Sequence, residues 1–201
     1  GSFGDMACFS FLSNKTITTG EGGMVVTSSD HYAEQLRYLR NLAFGPKRFL
    51  HEDAGYNFRL SSIQAGFGLA QLDRLEEVLA QKIDLYERYA ERLKSNPAIQ
   101  LPVLPEVGRH GQWMVAIRID QSVCPMKNQD VMAKLSEAGV DSRSFFCPMN
   151  QQPFLDVDPA HRECPVADAM WEDGLYLPST TSLTNDDLDE ICGELNSILS
   201  S

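Results

Sequence analysis

Lys15 stands five residues after Ser10, among the small hydroxyl residues Ser13, Thr16, Thr18 and Thr19, and just ahead of Gly20, Gly22 and Gly23. A lysine attacks a carbonyl only when its amine is neutral, which calls for a partly desolvated, enclosed place. The loop between two short apolar runs, residues 6–11 and 23–27, offers such a place if both runs are buried strands. The hydroxyls around the lysine are donors for a phosphate or a phenolate. On the residues alone, Lys15 is either a Schiff-base lysine or a solvated lysine on a turn. The glycines do not make a nucleotide loop. A dinucleotide fingerprint needs a strand before it and a helix after, whereas a strand follows here, and a P-loop needs glycine where Asn14 stands ahead of Lys15-Thr16.

The chain of 201 residues, 43% of them hydrophobic, can form one large domain or two small ones. With 17 basic against 28 acidic residues its formal charge is −11, which argues against nucleic acid or an anionic membrane as partner. Any phosphate must therefore be held by local geometry. The five cysteines have no C-x-x-C spacing, so no metal site and no dense disulfide framework is expected. No run of about 18 apolar residues and no leader pattern occurs, and free thiols fit a reducing compartment, so the expectation is a cytoplasmic protein. The first residue is Gly1 and strand-like sequence follows almost at once, which suggests a piece of a longer protein.

The elements that must position the lysine follow from local signals. Ser29 caps a helix to about Arg40, and residues 41–57, with Gly45-Pro46, two basic residues and Gly55, read as loop. Ser61 with Gln64 forms a capping box at the start of one long helix, bent near Leu75 and stopped by Asn96-Pro97. Gly66 and Gly68 within it cost helix propensity and are expected to admit another backbone or subunit. Beyond it, residues 113–120 alternate as a strand, 128–138 as a helix ended by Gly139, and 140–146 as a second strand, a βαβ rhythm. A helix over 164–171, a strand over 175–177 and a helix capped by Thr184 complete an α/β chain.

Four separated segments carry a resemblance. "DMACFSFLSNKTITTGEGGMVVT" is similar to the active-site segment of the sugar aminotransferases typified by perosamine synthase, within the fold-type I enzymes that use pyridoxal phosphate. "GYNFRLSSIQAGFGLAQLDRLEEVL", "VDSRSFFCPMNQQP" and "CPVADAMWEDGLYLPSTTSLTNDDLDEI" extend the likeness in order over nearly the whole chain. The resemblance implies the C-terminal part of a fold-type I large domain, residues 1–80, followed by a small α/β domain, residues 81–201. It implies pyridoxal 5'-phosphate as cofactor, with Lys15 as the Schiff-base residue that also moves the proton. It further implies Ser10 on the cofactor phosphate, and Asn57 reaching the phosphate of a neighbouring subunit, which makes a homodimer with a shared active site. The partners implied are an amino-acid donor, glutamate by expectation, and a nucleotide-linked ketosugar.

Arg143, on a loop-facing strand, is a candidate to grip a diphosphate, against the plainer reading of a surface arginine paired with an acid. His110 and Trp113 are open to substrate contact or to packing, and Asn150 stands where many relatives have histidine. The aspartate that holds the pyridine nitrogen protonated in such enzymes, their phosphate loop and their ring-stacking residue have no counterpart in the chain. The expectation is therefore a partial aminotransferase, with a noncatalytic remnant or dimerisation module as the alternative.

Overall fold

Strand β1 (Met6–Ser10) and strand β2 (Gly23–Thr27) pair antiparallel with Met6 opposite Thr27 and Ser10 opposite Gly23. The computed structural model describes residues 1–47, 49–155 and 163–200. Within it the chain divides into two units, Gly1–Val78 and Leu79–Ser201. Among the described residues no helix is long and apolar enough to cross a membrane.

In the first unit, Ser29 accepts the Tyr32 N–H at the start of helix α1 (Asp30–Arg40), with Asp30 in the first turn and Arg37 and Arg40 in the last, as the helix dipole favours. The stretch expected to be loop is a bridged hairpin. Asn41 pairs with Asn57 and Phe44 with His51, while Leu42 N–H donates to Tyr56 O at 3.0 Å. A Cβ on Gly55 would lie 2.2 Å from the Ala43 backbone nitrogen, so only glycine lets the two arms approach. Of the two basic residues in this stretch, Arg48 lies outside the described residues.

Two expectations are corrected here. The runs at 6–11 and 23–27 form strands, but Met6, Phe9, Met24 and Val25 are all exposed, so the two strands are not the buried pair expected. The long helix is two helices, α2 (Ser62–Leu72) and α3 (Leu75–Leu93). At the break Arg74 N–H bonds to Gln71 O, and the Arg74 guanidinium forms paired bonds of 2.9 and 2.7 Å with Glu77 in the first turn of α3. The capping box of Ser61 and Gln64 stands as expected.

The second unit contains a four-stranded sheet of order β3 (Ile99–Gln100), β4 (Val115–Ile119), β6 (Gly174–Leu177) and β5 (Arg143–Ser144), with every neighbouring pair antiparallel. Helix α4 (Asn128–Glu137) links β4 to β5, so these two strands run parallel with β6 between them. The βαβ rhythm is thus a split unit rather than an adjacent parallel pair. Val115, Ile117 and Ile119 of β4 and Leu175 and Leu177 of β6 face the core, and α3, α4 and α6 (Asn185–Leu199) contribute Tyr89, Leu135 and Leu195. Asp173, at the end of helix α5 (Pro165–Asp173), is buried against Arg118 of β4.

Helix α6 opens with a capping box, in which Thr184 Oγ1 accepts the Asp187 N–H and the Asp187 carboxylate accepts the Thr184 N–H at 2.7 Å. Hydrogen bonds from Thr184 hold the Asp187 carboxyl below its ordinary range. A folded-state value below the unfolded one stabilises at pH above about 4 and is lost as pH falls through the folded value. Thr184→Ala is expected to cost about 1 kcal/mol in urea unfolding. It should also flatten the acid limb of the stability curve; an unchanged limb would show that the box contributes nothing to pH dependence.

Candidate functional site

Lys15 lies in the loop between β1 and β2, half-buried, with its N–H donating to Leu12 O at 2.9 Å to close a turn. The base of the loop is tied by Phe11 N–H to Gly22 O at 2.9 Å and Thr19 N–H to Phe11 O at 3.0 Å. Gly20 and Gly22 both take positive φ, which turns the chain back into β2. Ser10 ends β1 with its Oγ accepting the Leu12 N–H at 3.3 Å. A hydroxyl whose oxygen is already an acceptor keeps its own proton to donate.

Thr18, three residues past Lys15, uses all of its polar groups. Its N–H and C=O both engage the Gln71 side chain, at 3.2 and 2.5 Å, its hydroxyl donates to Phe11 O at 3.1 Å, and the same oxygen accepts Gly20 N–H at 2.9 Å. Gln64 Nε2 donates to Glu21 O at 3.3 Å, and Gly68 lies so near Thr19 that an added Cβ would be 3.0 Å from its methyl. Residues 64, 68 and 71 are spaced i, i+4, i+7, a single stripe of α2. Gly68 therefore admits the loop, as a close approach requires, whereas no atom among the described residues lies within 4 Å of a Cβ on Gly66. Gln71 was not among the residues singled out by sequence. The signal available was this polar and small stripe on a helix otherwise rich in apolar residues.

Asn57 stands on the bridged hairpin, exposed, with its Oδ1 accepting Arg59 Nε at 3.0 Å, and Arg59 also donates to Asn41 Oδ1 at 3.2 Å. With the oxygen committed to Arg59, the amide NH2 is the end able to donate to an anion. Ser10 and Asn57 thus both present donors, and Lys15 an amine, groups whose chemistry is compatible with a phosphate-bearing aldehyde. The structure joins Ser10 and Lys15 in one hairpin and puts Asn57 in a separate loop of the same unit.

Arg143 belongs to the second unit, exposed on the edge strand β5 opposite Tyr176. Phe145 stacks on Tyr176 with ring centroids 4.7 Å apart, so the arginine sits at the margin of an aromatic cluster. His110 and Trp113 contribute to local structure: His110 Nδ1 accepts Gln112 N–H at 3.1 Å, and Trp113 O accepts Lys82 Nζ at 3.2 Å. Burial pushes the Lys82 ammonium pKa below its ordinary value. Asn150 Nδ2 donates to Asp168 at 3.4 Å and lines a shallow polar depression with Gln151 and Gln152. Among the described residues no group of three or more His, Cys, Asp or Glu could hold a metal ion.

GDP-perosamine synthase of Caulobacter vibrioides is 37% identical over 204 residues, covering 99% of this chain and 54% of that protein. The corresponding protein of Vibrio cholerae is 34% identical, covering 96% of this chain and 52% of its own length. Among solved structures, the aminotransferase TlmJ from Streptoalloteichus hindustanus superposes with a TM-score of 0.88 at 25% identity, over 100% of this chain and 53% of that one. DesI, crystallised in the presence of its TDP-sugar product, gives 0.88 at 27% identity, over 100% of this chain and 51% of its own. The chain spans about half the length of these relatives. The model of the DegT/DnrJ/EryC1/StrS aminotransferase family matches residues 1–196, and the chain belongs to that family.

Proposed function

We propose that the intact protein transfers an amino group from an amino acid, with glutamate the expected donor, to a nucleotide-linked ketosugar, using pyridoxal 5'-phosphate. The observation that carries this reading is Lys15, half-buried in a loop fixed on both sides, with the Ser10 donor at the end of the strand that leads into it. Family membership supports it, as do relatives named for GDP-perosamine synthesis and a neighbour crystallised with a TDP-sugar.

The residues present fit the cofactor. When bound, pyridoxal phosphate supplies the electron sink that makes loss of a proton from the carbon bearing nitrogen feasible. Lys15 would hold the cofactor through its amine and, once displaced by the incoming amino group, carry the proton from one carbon to the next. Ser10 would donate its hydroxyl proton to the phosphate. The Asn57 NH2 would donate to the phosphate held by a neighbouring subunit, and Arg143 would pair its guanidinium with the sugar nucleotide's diphosphate. A homodimer is supported by α2, which buries none of its residues and leaves Ile63, Phe67, Leu69 and Leu72 more than half exposed.

Borohydride reduction of the intact protein with pyridoxal phosphate, followed by peptide mapping, is expected to put the label on Lys15; a label elsewhere overturns the assignment. The chain's half-length match favours one other reading for the 201 residues by themselves, a noncatalytic dimerisation module. Mixing this chain with pyridoxal phosphate separates the two: a stable long-wavelength absorption band counts against the module, and a spectrum of free cofactor supports it.

A further inference from the structure

The Gln71 side chain, on helix α2, bonds to both backbone polar groups of Thr18 in the lysine loop. Its Oε1 accepts Thr18 N–H at 3.2 Å, and its Nε2 donates to Thr18 O at 2.5 Å and to Phe67 O, one turn back on its own helix, at 3.2 Å. Both amide protons and the amide oxygen are thus engaged, so the oxygen and nitrogen are unambiguously oriented. Resting on the reading of Lys15 given above, we propose that Gln71 is a positioning residue, which sets the reach of the Lys15 amine by fixing the backbone of Thr18 from helix α2.

The loop's geometry explains why one amide can have this effect. From Lys15 to Thr18 only Thr16 and Ile17 intervene. The turn closed by Lys15 N–H and Leu12 O holds the first end of that span, and the Thr18 hub holds the other. Removing the Gln71 amide leaves a part-buried N–H and C=O of Thr18 without those partners, and the loop must then shift toward water to satisfy them. The remaining bonds of Thr18, to Phe11 O and from Gly20 N–H, lie within the hairpin itself and do not tie it to α2. Gln64 reaches only Glu21 O, beyond the glycine turn, and Gly68 offers only a surface against Thr19. The two Gln71 bonds are thus the ones that tie the Thr18 backbone to the helix. Since reacting groups a single ångström out of place can lose about a hundredfold in rate, fixing the loop in this way bears directly on the amine.

The test compares the intact protein with Gln71→Met, which keeps the length and loses the polar atoms, and Gln71→Glu, which keeps the acceptor for Thr18 N–H and loses the donor for Thr18 O. The first readout is amide hydrogen exchange at Thr18 and Thr19, which needs no cofactor. Exchange at Thr18 should rise at least tenfold in Gln71→Met. The second is the rate at which borohydride fixes pyridoxal phosphate on Lys15, expected to fall about tenfold to a hundredfold in Gln71→Met and less in Gln71→Glu. Loss of global stability alone would move the melting temperature but not the order of the three proteins in labelling rate. Unchanged exchange and unchanged labelling in Gln71→Met would overturn the proposal. Altered exchange with wild-type labelling would reduce Gln71 to a structural residue. If the wild-type label falls on another lysine, the functional reading fails while the exchange data still report whether Gln71 holds the loop.

Discussion

Lys15→Ala in the intact protein is expected to lower amino transfer by about 10²–10⁴-fold, the range that a positioned proton-transfer group contributes. The same substitution should abolish borohydride fixation of the cofactor on the 13–20 loop. Two roles converge on one nitrogen in this reading, so both readouts should fall together. The loop should survive the change, because backbone bonds and the side chains of Thr18, Thr19 and Gln71 hold it. Near-ultraviolet circular dichroism of the variant is therefore expected to match wild type. Adding a small primary amine such as ethylamine should restore part of the rate, since a free amine can carry the proton that Lys15 no longer carries. Lys15→Arg should remain inactive, because a guanidinium stays protonated and cannot act as a base. A variant that keeps more than about a tenth of the wild-type rate would place the base elsewhere and remove the central assignment.

The features legible in the sequence are those decided by neighbours a few residues apart. Ser29, the Ser61–Gln64 box and Thr184 mark helix starts correctly because a cap needs only its own first turn. Lys15 and Ser10 stand out by residue type and spacing around one loop, whereas Asn57 emerges only through resemblance, since an asparagine before a helix is ordinary turn chemistry. The features missed depend on distant surfaces. Apolar content alone does not bury β1 and β2, because burial depends on a covering surface that the two short runs do not specify, and Met6, Phe9, Met24 and Val25 are exposed. The order of the sheet, with β6 inserted between β4 and β5, is fixed by contacts between residues some sixty positions apart, such as Val115 with Leu177. The stripe of Gln64, Gly68 and Gln71 is a weak signal beside the apolar residues that fill most of the circumference of α2, so periodicity alone does not single out Gln71.

In the second unit the largest stability effect is expected at the Arg118–Asp173 pair. Arg118 Nε and Nη2 donate to the two Asp173 oxygens at 2.7 and 2.6 Å, a bidentate fork, and Asp173 is only 7% exposed. Asp173 also ends α5, where the negative end of the helix dipole disfavours a carboxylate, so Arg118 offsets two penalties at once. The bond to Asp173 raises the Arg118 pKa further above its ordinary value. Breaking a buried pair by removing one partner costs about 3–5 kcal/mol, more than the pair contributes relative to a hydrophobic replacement. The two single variants should differ. Asp173→Ala leaves a guanidinium that keeps about a third of its exposure and can rehydrate, which puts its cost near the low end of that range. Arg118→Met strands a buried carboxylate and belongs near the high end. The double variant Arg118→Met, Asp173→Leu is expected to recover most of the loss, because no buried charge is then left unpaired. Trp113 and Trp171, the chain's two tryptophans, both lie in this unit, so urea unfolding followed by tryptophan fluorescence reports on it directly. A cost below about 1 kcal/mol for Arg118→Met would mean that the pair behaves as a solvated surface bridge despite its burial.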